Sequence, residues 1–547
     1  MRPSAFPPRT ASSRRGTVLV VVLIVVAMLT LGVYRFTGSM LTGEKATAGA
    51  ARWARARACA YSALDWTATW LDHRFDDPDA PLDLFHNPEL FQAVVVTPSG
   101  SGRGQGYFTV FAPWWAEDGS GGVRYGLVDE SARLDLNALV YDWQLDPEEQ
   151  QQVLMQLPGL TVELADAILD WLDEDSEPRP NGAEDEYYGS LSPPYAARNQ
   201  RLQSLDELLL VRGMTPALLY GEDTNRNGLL DLNENDGSDT PPEDNADGVL
   251  QRGLAAYLTL WSRQRNRRQD GSPRINLNSN DLATLYDQLA QEFDEDVARF
   301  VVAYRLFGPV GGSATGPTPG STSPRGQGGP SAGSAPVRSG STGGSGARQS
   351  RGGLDLSRGG QQQIPSIFHL IGVQVRAQIN GSQQTLESPW PDEPAQLQET
   401  LPRLLDTLTT SNQPYLAGRI NILQAPREVL LAIPGMPEEL IEPILAAQAT
   451  AGVNQGTFTA VPGRETVAWL YLEGIATLEQ MRQLAPYINC GGDAFRVQAL
   501  GHVDAQGPVV RLEALLDASS GSTRVLWVRP LHPLGPGLPL RQLLGTQ

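Results

Sequence analysis

Cysteine and histidine are scarce in this sequence of 547 residues: there are 2 cysteines, Cys59 and Cys490, and 5 histidines. Two thiols exclude a disulfide framework and a cysteine-rich zinc site, so one bridge is the most that oxidation can supply. Histidines scattered without a pair at metal spacing leave few candidates for acid–base catalysis. The sequence also lacks a glycine-rich phosphate loop ahead of Lys-Ser/Thr and a Gly-x-Ser-x-Gly nucleophile turn. Paired carboxylates are plentiful, but abundance removes their specificity, because a glycosidase needs two of them facing across a cleft. The chain therefore carries no enzyme signature. Positive charge is in short supply as well, with 42 basic against 62 acidic residues and a formal net charge of -20. Such a balance repels phosphate backbones and makes cations the natural partner. The length suffices for two or three domains, each with its own core.

What is present begins at the amino end. Residues 1–16 are polar and basic, with Arg2, Arg9, Arg14 and Arg15, and give way at Gly16 to the uncharged apolar run Thr17 to Val33. That run sits at the lower limit for spanning a bilayer as a helix, and the arginines ahead of it predict a cytoplasmic amino end. An ordinary secretory signal would be cut beyond its apolar run, and the small residues around Ala46 to Ala51 imitate such a site. A plain single-pass anchor would not be cut at all. The segment Arg15-Gly16-Thr17-Val18-Leu19-Val20-Val21-Val22-Leu23 resembles instead the prepilin junction, where a dedicated peptidase cuts after the glycine and leaves the apolar helix in the mature protein. The resemblance implies processing between Gly16 and Thr17, with methylation of the new amino terminus. Pilin-like proteins mostly have Glu at the fifth mature position; Val21 stands there instead, a departure typical of the K-type pseudopilins of the type II secretion system. It fits a tip subunit with no neighbour above it. No proline occurs between Thr17 and Asp76, and Trp53, Ala56, Ala60, Leu64 and Trp70 continue at helical spacing. One helix is therefore expected over 17–76, membrane-spanning over 17–33 and amphipathic beyond, with bends at Gly32, Gly38, Gly43 or Gly49.

Pro78 and Pro81 end that helix. Strand-like composition follows near Phe91 to Thr97, Gly106 to Ala112 and Val123 to Val128, and returns at the far end in Phe495 to His502, Val509 to Leu516 and Thr523 to Val528. If the two sets pair, residues 77–136 and 456–547 form one pilin-like antiparallel sheet and the middle is an insertion, as in the K-type family. The expected class is α+β: a long N-terminal transmembrane and amphipathic helix, that sheet, and a large, mostly α-helical inserted domain over 137–307 and 364–455. A weak repeat runs through the insertion: Arg133-Leu134-Asp135-Leu136-Asn137, Arg274-Ile275-Asn276-Leu277-Asn278 and Arg419-Ile420-Asn421-Ile422. Short Asn and Asp side chains at these positions are suited to capping the helices that follow. Two of the three copies precede a Pro-Gly turn, Pro158-Gly159 and Pro434-Gly435, which resembles a helix-hairpin-helix. The acidic residues after those turns, Glu163, Asp166, Asp170, Glu438, Glu439 and Glu442, favour packing over a grip on DNA phosphates. Residues 308–363, dominated by Gly, Ser, Pro and Arg, bury too little apolar surface to fold and are expected to be a disordered loop.

Two acidic stretches carry metal chemistry. Asp223-Thr-Asn225-Arg-Asn227-Gly228-Leu229-Leu-Asp231-Leu-Asn-Glu234 has the spacing of an EF-hand loop. Asp223, Asn225 and Asn227 offer side-chain oxygens, Gly228 the sharp turn, Leu229 a carbonyl, Asp231 a ligand through water, and Glu234 a bidentate carboxylate. Two neutral ligands imply a modest affinity for calcium, and the flanks predict a static clip and not a sensor. Asp236, Asp239, Glu243, Asp244 and Asp247 follow, either as further ligands or as solvated charge. The other stretch, Asp170-Trp-Leu-Asp173-Glu-Asp175 to Glu184-Asp185, reads equally as a second calcium site through Asp173, Asp175 and Glu184 or as a solvated loop. One calcium ion, or two, is thus expected.

The order Asp170-Trp-Leu-Asp-Glu-Asp175, Gly182-Ala-Glu-Asp-Glu-Tyr187, Pro194-Tyr-Ala-Ala-Arg-Asn199 and Ser204-Leu-Asp-Glu-Leu208 to Gly213-Met214 is similar to the K-type pseudopilin signature, and Gly126 to Glu130 matches the segment that leads into it. The likeness implies an inner-membrane, single-pass subunit at the pseudopilus tip with its bulk in the periplasm. It would be processed by prepilin peptidase, would assemble with I-type and J-type minor pseudopilins, and would face cargo or the outer-membrane secretin, with no nucleic acid as partner. Two rivals make different demands. A DNA-uptake or type IV pilus component would bind DNA through its hairpins with strong salt dependence. A secreted calcium-dependent carbohydrate-active protein would lose Thr17 to Val33 on maturation.

Overall fold

The computed structural model describes residues 15–75, 83–98, 104–116, 119–310, 350–504 and 507–539. Residues 1–14 of the expected leader, Pro78 and Pro81 at the expected end of the helix, and 311–349 of the Gly/Ser/Pro-rich stretch lie outside the described residues. Helix α1, Arg15–His73, runs for 59 residues without a break, so none of its four glycines interrupts it. At about 1.5 Å per residue it is on the order of 90 Å long. Its large apolar side chains from Val18 to Leu41 are all exposed. Among the described residues it is the one helix long and apolar enough to cross a membrane. From Ala56 onward its character changes: Ala56, Cys59, Ala60, Ala63, Leu64, Thr67 and Leu71 recur every three or four residues and are buried.

That stripe lies on a single antiparallel sheet. Its strands are β1 Val94–Thr97, β2 Gly106–Trp115, β3 Gly121–Arg124, β4 Val128–Asp129, β5 Ala494–Val503, β6 Val509–Asp517 and β7 Arg524–Pro530. The order is β1-β2-β5-β6-β7, with β3 beside β2 and β4 beside β5. Both ends of the chain thus build it, as the strand-like segments predicted. Pro88–Phe91 forms a helical turn capped by Asn87, which moves the first strand to Val94 from the expected Phe91. Period-two alternation assigns the faces. Phe495, Val497 and Ala499 pack with Ala63, Leu64 and Leu71 of α1, whereas Arg496, Gln498 and Leu500 point the other way. Gly501 sits where the helix comes closest: a Cβ there would lie 2.1 Å from the Ala56 carbonyl oxygen and 2.3 Å from the Ala60 nitrogen.

The insertion leaves at β4 and returns at β5, and these two strands pair with Val128 opposite Arg496 and Asp129 opposite Phe495. Each repeat supplies a two-residue strand in parallel with a later segment: Leu134–Asp135 with Leu258–Thr259, Ile275–Asn276 with Leu408–Thr409, and Ile420–Asn421 with Ile488–Asn489. The polar residue of each pair also caps. Asp135 accepts from the amides of Asn137 and Ala138, Asn276 from that of Asn278, and Asn421 from that of Leu423. Helices follow in pairs: α2 Pro147–Leu154 with α3 Val162–Leu172, α4 Leu282–Glu292 with α5 Glu295–Phe307, and α6 Arg427–Leu431 with α7 Glu438–Ala451. Around the two Pro-Gly turns Leu157, Leu160, Leu164, Ile433 and Leu440 are buried in the shared core, so the hairpins use their apolar faces for packing.

Two boundaries differ from expectation. Trp469, Met481 and Ile488 belong to the helical core, so the chain rejoins the sheet at Ala494, later than 456. The far flank of the expected disordered loop is folded as well. Leu354 and Leu356 are buried, and the amides of Gln361 and Gln362 donate to the Arg305 carbonyl at 2.8 and 2.9 Å. Two leucines anchor a stretch whose average composition is too polar to predict it. Cys59 and Cys490 lie apart, in α1 and in the insertion, as free thiols.

Where the insertion is tied shut, the junction is ionic and buried. Glu130, with no exposed surface, accepts from Arg496 Nε at 2.8 Å and Nη2 at 3.1 Å, from Arg133 Nη1 at 3.2 Å, and from the Thr259 hydroxyl. Burial pushes the Glu130 carboxyl up, but Arg496 and Arg133 outweigh it and hold it below its ordinary value. Removing one partner of such a pair strands the others. Glu130→Gln should therefore destabilise the detergent-solubilised protein by about 3–5 kcal/mol, read from chemical denaturation.

Candidate metal centres

Helix α3 is capped by Thr161, whose side chain accepts from the amide of Leu164, and ends at Leu172. Its buried Asp166 and Asp170 hold the following loop: Asp166 accepts from the amide and side chain of Asn181, and Asp170 from the amide of Arg179. With those two carboxylates committed, Asp173, Asp175 and Glu184 turn toward one another, each with a ligand oxygen within 4.8 Å of the others. Glu184 is 4% exposed and neither of its oxygens accepts a hydrogen bond; Asp173 Oδ1 is buried and likewise without a donor. Burial, then the neighbouring carboxylates, push Asp173 up to about 7, and burial with Asp170 and Asp173 pushes Glu184 up to about 7. Asp173 also follows the carbonyl end of α3, which carries partial negative charge. Hard oxygen donors converging with too few donors to satisfy them are what a calcium ion requires. The sequence signals missed Asn199: its side-chain amide donates to the Asp175 carbonyl at 2.7 Å while its own Oδ1 is buried without a donor. Its position at the end of the Ala-Ala-Arg-Asn motif was the available clue.

The EF-hand-like loop opens just after the short helix Pro216–Tyr220. Its ligand positions are gathered into one network. Asp223 accepts from the amides of Asn227 at 3.0 Å and Gly228 at 2.9 Å, Asn225 Oδ1 from Asn227 at 2.9 Å, and Asn227 Oδ1 from Leu229 at 2.7 Å. Glu234, 1% exposed, closes the loop by accepting from Thr224 at 3.2 Å and Asp231 at 3.1 Å. Gly228 has φ +70, and a Cβ there would meet Pro113 at 2.5 Å. Burial raises Asp223 to about 6 and Glu234 to about 7. Here the side-chain amides of Asn225 and Asn227 both donate to Asp231 Oδ2, at 2.5 and 2.9 Å, so a cation ligated by Asp231 must displace them. The acidic residues that follow have local roles: Asp244 accepts from Gly237 and Ala246, Asp236 from Thr240, and Asp247 from Val249. Gly16 and Thr17 lie in the first turn of α1.

The raised carboxyls fix a pH dependence. Protons held by the folded state between the unfolded value of about 4 and the folded value make stability fall as pH rises through that window. In chelator, urea denaturation should therefore show stability declining from pH 4 to about 7, and Glu184→Gln should flatten the decline.

Comparisons with known proteins bear on the first centre. Residues 132–220, which contain Asp173, Asp175 and Glu184, match the family described as type II secretion system (T2SS), protein K. Type II secretion system protein K of Klebsiella pneumoniae is 40% identical over 90 residues, which are 16% of this chain and 26% of that protein. The Pseudomonas aeruginosa protein of the same name is 33% identical over 116 residues, 20% of this chain and 34% of that protein. The chain therefore spans between 26% and 34% of the length of these curated relatives. Among solved structures, the GspK-GspI-GspJ complex from the enterotoxigenic Escherichia coli type 2 secretion system aligns with a TM-score of 0.36 and 12% identity, over 88% of this chain and 98% of that one. The EF-hand-like loop begins beyond the matched segment.

Proposed function

We propose that this chain, whose residues 132–220 belong to the type II secretion system protein K family, is a minor pseudopilin that occupies the pseudopilus tip and starts or caps the fibre. The observation that carries the reading is the combination of that segment with α1, an exposed apolar helix continuous with one seated on a sheet made from both chain ends. The part it plays is architectural. Prepilin peptidase cuts after Gly16, Thr17 becomes the methylated amino terminus, and the apolar half of α1 anchors the chain in the inner membrane and then packs against the I-type and J-type minor pseudopilins. The large insertion, tied between β4 and β5, stands in the way of a further subunit above. Its acidic surface is free to meet cargo or the secretin.

The processing step tests this directly. Intact mass and amino-terminal sequencing of membrane-extracted protein should give Thr17 first, only in cells with prepilin peptidase. An unprocessed Met1 would leave a plain anchor, and a cut beyond Val33 would favour a secreted calcium-dependent protein.

Both oxygen-rich loops are read as calcium sites. Asp173, Asp175 and Glu184, helped by Asn199, would hold one ion; Asp223, Asn225, Asn227, the Leu229 carbonyl, Asp231 and Glu234 would hold another. Calcium titration by calorimetry should show two sites, one removed by Glu184→Gln and the other by Glu234→Gln. A stoichiometry unchanged by either substitution would refute the assignment.

A further inference from the structure

The EF-hand-like loop is one of the parts of the insertion that lie against the sheet, and nothing in the tip-subunit reading uses that contact. Its anchor is Arg511 of β6, fully buried on the face away from α1. Among the described residues no carboxylate forms an ion pair with this guanidinium. Nη1 donates to the carbonyl of Asn225 at 2.8 Å, and Nη2 to the carbonyl of Arg226 and to Gln498 Oε1. Gln498 itself donates to the Arg226 carbonyl at 2.9 Å, and Trp115 Nε1 to the Gly228 carbonyl at 3.0 Å. The sheet therefore holds the loop by three of its backbone carbonyls, those of Asn225, Arg226 and Gly228, within the run of ligand positions.

The carboxyl-terminal segment is caught in the same knot. Asn227 donates to the Gly537 carbonyl at 2.9 Å, and Leu538 is buried with Phe111 and Leu500 against Leu229. Leu531 donates its amide to the Arg511 carbonyl at 2.9 Å, and the His532 ring meets Trp53 of α1 with centroids 5.5 Å apart. One backbone conformation thus turns the ligand side chains inward and the docking carbonyls outward. An occupant that favours this conformation favours both contacts by the same free energy. Without one, the three carboxylates of Asp223, Asp231 and Glu234 repel, opposed within the loop by the two asparagine amides.

We propose that loop 223–234 is a cation-tightened clasp: an ion held there locks the loop and segment 531–539 onto the sheet, and its removal loosens them. The proposal rests on the calcium reading of this loop, and the test separates the two. Occupancy is read with terbium, whose luminescence Trp115 is placed to sensitise; docking is read by hydrogen exchange of the full-length, detergent-solubilised protein in calcium and in chelator. The expected result is tryptophan-excited terbium emission that calcium competes away, with exchange over 531–539 and 509–517 slowed by up to about 100-fold at calcium 100 times its dissociation constant. Both responses should persist in Glu184→Gln, which removes the other centre beside Trp171, and adding Glu234→Gln in that background should abolish them. Absence of emission from the wild-type protein would overturn the calcium reading and the clasp with it. Emission lost on adding Glu234→Gln, with 531–539 exchanging equally fast in calcium and chelator before that change, would overturn the clasp alone. Arg511→Gln supplies a second check, since it should keep the emission and lose the calcium-dependent protection. Retained protection in that variant would also count against the clasp.

Discussion

The buried carboxylate of Glu130, held between Arg496 and Arg133, is the contact on which the architecture depends. Arg496 belongs to the strand that returns from the insertion, and Glu130 follows the strand that leads into it. A charge taken out of water is costly unless it is paired and hydrogen-bonded, so the two strands cannot separate without exposing or stranding an ion. Neighbouring residues repeat the device: Asp129 accepts from Asn421 at 2.9 Å and Gly492 at 2.8 Å, and Asp493 pairs with Arg74 at the end of the long helix. Polar partners with fixed geometry set a register that apolar contacts alone would leave loose. A large helical domain can therefore hang from two adjacent strands without disturbing the sheet.

Helix α1 meets the opposite requirement. Its first half exposes a run of large apolar side chains that none of the described residues covers, and its second half offers alanines small enough for the helix to lie against the sheet at Gly501. Uninterrupted backbone hydrogen bonding carries one rigid rod through both settings. A displacement of the sheet is thereby carried along the helix into its exposed apolar half.

The two oxygen-rich loops differ in how their charge is satisfied. Around Glu184 both of its oxygens and Asp173 Oδ1 are buried without donors, whereas around Asp231 asparagine amides already donate to the carboxylate. On the proposed reading, calcium would relieve a conflict at the first centre and replace an existing set of bonds at the second. Only the second loop has backbone carbonyls held by Arg511.

By itself the sequence determined the elements whose signal is local. The apolar run after Gly16, the absence of proline through the helix, the period-two segments at both ends and the Asp and Asn caps of the repeats depend on residues within a turn or a strand of each other. For the same reason the EF-hand spacing was legible position by position. Tertiary structure alone decided what depends on partners far along the chain. Arg496 reads as one of many arginines until Glu130 reaches it, Leu354 and Leu356 are invisible in a Gly-Ser average until the shared core takes them in, and Asn199 has no role until Glu184 lies beside it. The return point at Ala494 was missed because helices of both regions carry the same apolar periodicity, and only burial says which core they join. Arg511 shows the limit most clearly: a strand's periodicity gives its face, but only the fold brings the carbonyls of residues 225 and 226 to a guanidinium that water can no longer reach.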